Sequence, residues 1–321
     1  MQDGPVSDWL PGVSRDVLRA RAALLAQLRT FFAERDVCEV DTPVLGAFGV
    51  TDPHIECLMV EPPGQPPRFL QSSPEFAMKR WLAAGSGDIY QLGKVFRAGE
   101  EGGRHNTEFT LLEWYRQGFS LGELMDEVRQ LVTDVLGTRA SVTHSYRDLF
   151  RDVLGLDPFV ASTDDLAQCA KSHVDLATSS LDRDDWLDLL MSHCVEPALR
   201  SEGMVFVRDY PPTQAALARC SGEGRDSVAE RFELYVDGVE IANGYHELCD
   251  PAELRRRADA DNARRRESGR AHRELDERLV AAMEAGLPDC SGVALGVDRL
   301  LMLQRGAQHI AQVLPFAGHR A

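Results

Sequence analysis

The chain has 321 residues, 44% of them hydrophobic, which is ample for one large catalytic domain or two small ones. Its formal net charge of −16 sets up a field that attracts amines and repels polyanions, and so counts against a nucleic-acid partner. Seven cysteines without a C-x-x-C pair argue against a disulfide framework and a zinc site, and the absence of any apolar run near ~18 residues or of a signal-peptide layout points to a cytoplasmic protein with no membrane contact.

Residues 14–35 start with Ser14 as a cap and carry apolar residues at helical spacing, so a helix leads into Val37–Leu45, read as a strand that Pro43 ends. Residues 54–71 read as two short strands around a turn rich in proline (Pro62, Pro63, Pro66, Pro67). Next, Ser73 is placed as N-cap, Pro74 at the first helical position and Glu75 just inside, where a glutamate ordinarily complements the helix dipole. Residues 90–97 and 107–116 read as paired strands around a Gly- and charge-rich loop. Alternation puts Phe109, Leu111, Glu113 and Tyr115 on one face of the second strand and Thr110, Leu112, Trp114 and Arg116 on the other. A carboxylate among strand hydrophobes is costly unless a cation meets it, and on the residues alone a neighbouring arginine is favoured over a ligand amine.

An amphipathic helix is expected over 121–135, then a mainly helical segment over 146–203 that carries no identifiable chemistry; His144, His173 and His193 read as isolated structural or surface residues. Asp237-Gly238 is a strong two-residue hairpin signal, and pairing outward sets Tyr235 opposite Glu240 and Glu233 opposite Ala242. Glu233 and Glu240 then share a face as diagonal neighbours, roughly 7 Å apart or less. Such a pair needs a cation between its members, a lysine, an arginine or a Mg²⁺ bound to nucleotide phosphates. The helices of 251–285 bear Arg255, Arg256, Arg257, Arg264, Arg265, Arg266, Arg270 and Arg273 among acids, best read as a solvated face, with docking of an acidic protein a minority reading. Last, residues 289–303 read as a glycine-punctuated strand running into a helix, where backbone can approach a ligand.

FRAGEEGGRHNTEFTLLEWY, beginning at Phe96, resembles motif 2 of class II aminoacyl-tRNA synthetases, most closely the lysine-specific branch, although the acid after Arg97 is displaced to Glu100 and Thr107 replaces a proline. The V-x-E-V-x-T-P-x-L run from Val37 resembles motif 1, the dimerisation element, and G-V-D-R-L from Gly296 resembles the close of motif 3. Ser73-Pro74-Glu75 and E-I-A-N-G-Y-H-E from Glu240 match further lysine-branch patterns. The resemblance implies an α+β fold in which an antiparallel sheet is flanked by helices, with 146–203 as an insertion between motifs 2 and 3. It implies an extension over 1–13, a catalytic domain over 14–321, a homodimer and no anticodon-binding domain.

For the site, the resemblance implies that Arg97 holds the ATP α-phosphate and the substrate carboxylate, and that Arg299 packs on adenine and the terminal phosphate. ATP would also meet Glu100, His105, Asn106, Phe109 (stacked on adenine), Glu240, Ile241 and Gly296, and Glu233 with Glu240 would hold Mg²⁺. The amino acid would be lined by Ser73, Pro74, Glu75, Glu113, Tyr115, Asn243, Glu247 and Ala294, the last standing where lysyl synthetases have glycine. Closest are the truncated lysyl-synthetase paralogues that join (R)-β-lysine to elongation factor P. A tRNA-charging enzyme would share every one of these residues, whereas a non-catalytic regulatory paralogue would have lost Arg97, Arg299 or the glutamate pair.

Overall fold

The computed structural model describes residues 9–175 and 181–321, so the first eight residues of the expected extension lie outside the described residues. Ser14 caps the first helix, α1 (Arg15–Ala33), by accepting from the Val17 N–H, as its sequence position predicts. The strand expected over Val37–Leu45 shrinks to β1 (Cys38–Glu39), because this stretch lies at the sheet edge with no second partner, and Leu45 leaves to form β2 (Leu45–Gly46) in a small separate sheet with β3 (Met59–Val60) and β4 (Arg68–Leu70). Then come α2 (Glu75–Ala83), β5 (Ile89–Phe96), β6 (Glu108–Gln117) and α3 (Leu121–Leu136), whose Ser120–Glu123 capping box fixes its start.

Among the described residues, which leave out 176–180, the region 146–203 is mainly helical as expected: α4 (Tyr146–Leu154), α5 (Thr163–His173), α6 (Arg183–Leu190), a π turn over Met191–Val195 and the short α7 (Glu196–Ala198). It links β7 (Ser141–Ser145) to β8 (Met204–Tyr210), which pair in parallel. The chain ends with β9 (Cys220–Ser221), β10 (Val228–Val236), β11 (Val239–His246), α8 (Pro251–Glu267), α9 (Glu277–Gly286), β12 (Cys290–Gly296) and α10 (Val297–Arg305).

The main sheet runs β1-β5-β6-β12-β11-β10-β8-β7 with β9 on β10; it is antiparallel from β5 to β8, while the terminal pairs β1–β5 and β7–β8 are parallel, so the sheet is mixed at its ends. Alternation decides what each face does. Leu112 and Trp114 of β6, Val293 and Leu295 of β12, and Phe232 and Leu234 of β10 join α1, α3 and α10 in the largest core, whereas Phe109, Leu111, Glu113 and Tyr115 point the other way into a cavity. Helices of the insertion build a second core on β8 and β10, and α2 with α9 a third beneath Tyr115.

Three sequence expectations are corrected. The helix near Ser73 opens one residue later, with Pro74 at the N-cap position; the Ser73 hydroxyl still accepts from the Glu75 N–H at 3.0 Å, so capping survives the shift. In the β10–β11 hairpin Tyr235 faces Glu240 as expected, but Ile241 is an extra residue, so Glu233 faces Asn243 and Leu234 faces Ala242. The arginines of 251–285 are not all solvated: in α8 Arg265 is fully buried and Arg257 largely so, as is Arg273 in the loop before α9.

Candidate active site

The cavity, about 320 Å³, opens on the β6–β12–β11 face, and its lining includes Ser73, Glu75, Arg97, Glu100, His105, Asn106, Phe109, Glu113, Tyr115, Glu240, Ile241, Asn243, Glu247, Ala294, Gly296 and Arg299. Nearly every residue singled out from the sequence therefore meets in one place. Two do not line it: Pro74, which is buried behind Ser73, and Glu233.

One end is cationic. Arg97 follows β5 at the start of the hairpin loop; its guanidinium lies 5.3 Å from the Phe109 ring centre, 3.4 Å from the Ser72 carbonyl and 3.8 Å from the Glu100 carboxylate. Glu100 thus lines the cavity beside Arg97 despite its displacement along the loop. Arg299 sits in the first turn of α10, which is anchored because buried Asp298 accepts from the Arg21 guanidinium at 2.5 Å and from the Thr110 N–H at 2.7 Å. The Arg299 guanidinium donates to the Glu240 carbonyl (2.9 Å) and carboxylate (3.0 Å) and meets His105 Nε2 at 2.7 Å. A guanidinium can only donate, so Nε2 accepts and the imidazole is neutral, in agreement with burial and Arg299 pulling the His105 pKa below its ordinary value. Asn106 donates to the Glu108 carbonyl and accepts from the Gly318 N–H, which holds the loop against the C-terminal turn.

The other end is anionic and nearly dry. Glu113 accepts from the Ser73 hydroxyl and from the Tyr115 hydroxyl, each at 2.7 Å; burial and then the Glu75 charge raise its pKa above the carboxylate range. Glu247 is raised in the same sense, mainly by burial. Sequence reasoning missed Lys79, which stands between Glu75 and Glu247 with its ammonium 2.7 Å from the first and 2.6 Å from the second. Burial disfavours that ammonium, but the two carboxylates outweigh it and hold its pKa above the ordinary lysine value. The only sequence signal was the i,i+4 spacing from Glu75, which reads as a surface pair.

Glu233, one of the two glutamates matched to a metal pair, is engaged by Arg231 and by the Tyr235 hydroxyl on its own strand, and Glu240 by Arg299. Glu196, at the end of the π turn, lies close enough to both that burial and their charges push its pKa up to about 7. No cluster of three or more potential metal ligands occurs among the described residues. Mg²⁺ typically takes one or two carboxylates and completes its shell with water and substrate phosphates, and of this pair only Glu240 lines the cavity.

The family model for class II tRNA synthetases (D, K and N) matches residues 6–320. The chain is 45% identical over 317 residues to the elongation factor P–(R)-β-lysine ligase of Haemophilus influenzae (strain PittGG), covering 97% of this chain and 98% of that protein. It is 48% identical over 324 residues to the protein of the same name from Vibrio cholerae serotype O1, covering 98% and 99%.

Proposed function

Since the chain belongs to the class II (D, K and N) tRNA synthetase family and is an ATP-dependent ligase of that family, we propose that it adenylates (R)-β-lysine and transfers it to a lysine side chain of elongation factor P. The observation that carries the proposal is the polarity of the cavity: Arg97 and Arg299 at one end, and the carboxyl groups of Glu75, Glu113 and Glu247 at the other, where Lys79, outside the lining, pairs with Glu75 and Glu247 and Arg231 bonds to Asn243 and Glu233. A diamino acid fits that distribution, with its carboxylate toward the arginines and its ammonium groups toward the surplus of carboxylates.

In this reading Arg97 holds the amino-acid carboxylate against the α-phosphate of ATP, and Phe109, Ile241 and Gly296 bound the adenine. The carboxylate oxygen attacks the α-phosphorus, pyrophosphate leaves, and Arg97 and Arg299 offset the charge that develops on the phosphoryl oxygens. Neutral His105 accepts from Arg299 and so helps to orient it for that task. Glu240, with Glu233, would hold Mg²⁺, which when bound neutralises phosphate charge. The acceptor amine then attacks the acyl carbon and AMP leaves, so positioning replaces a protein nucleophile. Glu113, Tyr115 and Ser73 form a chain of hydrogen bonds that orients the substrate ammonium. Homodimer formation through the exposed Val44–Leu45 region and a cytoplasmic location are part of the same proposal, supported by the motif-1 match and by the absence, among the described residues, of a helix able to cross a membrane.

ATP/pyrophosphate exchange across candidate amino acids, without tRNA, tests the proposal. Exchange is expected with (R)-β-lysine and lost in Glu240→Ala; exchange unchanged by that substitution would remove Glu240 from the metal and phosphate site.

A further inference from the structure

Helix α8 lies outside the cavity, yet its side chains hold two segments of the rim. Buried Arg265 donates to the Asp52 carbonyl at 3.2 Å and to the Glu56 carboxylate at 2.8 Å, and Asp52 lines the cavity. About two turns earlier, Arg257 directs a single Nη toward two backbone carbonyls, those of Ala216 and Ala218, both at 2.7 Å, while its Nε donates to Glu253 at 2.7 Å. Ala216 lines the cavity and has a φ of 47°, in the left-handed region that a residue with a Cβ adopts only at a cost. Such a conformation persists where the surroundings over-determine it. The same loop is laced to the end of β11: Ala218 bridges to Glu247, the Leu248 N–H donates to the Leu217 carbonyl at 2.9 Å and the Arg219 N–H to the His246 carbonyl at 2.9 Å.

We propose that Arg257 is a positioning residue for the amino-acid end of the cavity, holding Ala216 in its left-handed conformation and thereby fixing the wall next to Glu247. The electrostatic reason is direct. Two carbonyl oxygens aimed at one point repel each other unless a cation stands between them, and Arg257 supplies one whose orientation Glu253 fixes. Without it the Ala216 peptide relaxes to negative φ and the wall moves. This inference rests on the reading that an amino acid binds beside Glu247.

The test compares Arg257→Met, Ala216→Gly and the double variant by pyrophosphate exchange with (R)-β-lysine and α-lysine. Release of left-handed strain in Arg257→Met raises the amino-acid KM by about tenfold, with the KM for ATP within about twofold of its starting value. Glycine takes positive φ without steric cost, so adding Ala216→Gly to Arg257→Met is expected to bring the amino-acid KM back to within about threefold. A merely structural arginine would move both KM values together and would gain nothing from the glycine, and either result overturns the proposal. Should the wild-type protein activate neither lysine, the substrate reading fails by itself; amide hydrogen exchange across 215–219 then decides, since Arg257→Met must accelerate it if Arg257 holds the loop, and unchanged exchange overturns the inference.

Discussion

Ala294 puts a single methyl on the cavity wall. Strand β12 sets it directly between Glu113 of β6 and Asn243 of β11, so its side chain enters the cavity between two substrate-facing groups. We propose that a methyl there, where the resemblance places glycine in lysyl synthetases, removes space beside the carboxylate end of a substrate, so that an α-amine would clash and an amine on the β-carbon would not. A steric change of this size shifts discrimination by ~1–3 kcal/mol, roughly 10–200-fold. Ala294→Gly is therefore expected to raise kcat/KM for α-lysine by a factor in that range, measured by pyrophosphate exchange, and an unchanged preference between α-lysine and (R)-β-lysine would refute the steric account. Ala294 was legible in the sequence because a motif fixes its place. Lys79 was not: what turns an ordinary i,i+4 pair into a buried clasp is Glu247, brought over it by β11, and removing one partner of such a buried pair leaves an uncompensated charge worth ~3–5 kcal/mol.

The strands that carry the site are limited by how closely they can approach their contents. Gly292 lies in β12 opposite Tyr115 and Tyr245, and a Cβ built there would stand 2.4 Å from the Tyr115 ring and 2.5 Å from a Glu247 oxygen. Both neighbours are pinned, Tyr115 by Glu113 and Glu247 by Lys79, so neither can yield without breaking the clasp. Gly292→Ala should cost at least tenfold in amino-acid KM and, as an overpacked core, ~1–3 kcal/mol in stability by denaturant titration. A KM unchanged in a folded variant would show that the placement of Tyr115 and Glu247 is dispensable for amino-acid binding. The two faces of β6 were read correctly because alternation along a strand is fixed by its geometry, although both faces are buried, one in the core and one at the cavity. The β10–β11 register beyond Tyr235 was not, because the bulge at Ile241 has no residue signature, whereas the Asp237-Gly238 turn has one, both residues taking positive φ. The parallel β7–β8 pair escaped for a related reason: its partners are separated by the whole helical insertion.

Across the whole molecule, charge discriminates between acceptors. A net charge of −16 opposes a polyanion and favours a cationic amine. Six of the eight arginines that gave the sequence its one basic run are engaged by carboxylates: Arg255 pairs with Glu277, Arg256 and Arg257 with Glu253, Arg264 with Asp261, and Arg265 and Arg273 with Glu56, which leaves the exposed Arg266 and Arg270. Each of those guanidiniums already has a carboxylate, so phosphate contact there would require breaking an ion pair for each one gained. A lysine ε-amine asks for nothing of the kind; it needs only access to the acyl carbon and a nearby anion to guide it. Incubating the protein with Mg·ATP and labelled (R)-β-lysine in the presence of both elongation factor P and total tRNA should place the label on the protein acceptor, at a lysine that mass spectrometry can locate. Label on tRNA with none on the protein would overturn this reading, and it would mean that nucleic acid reaches the cavity across a surface whose charge repels it.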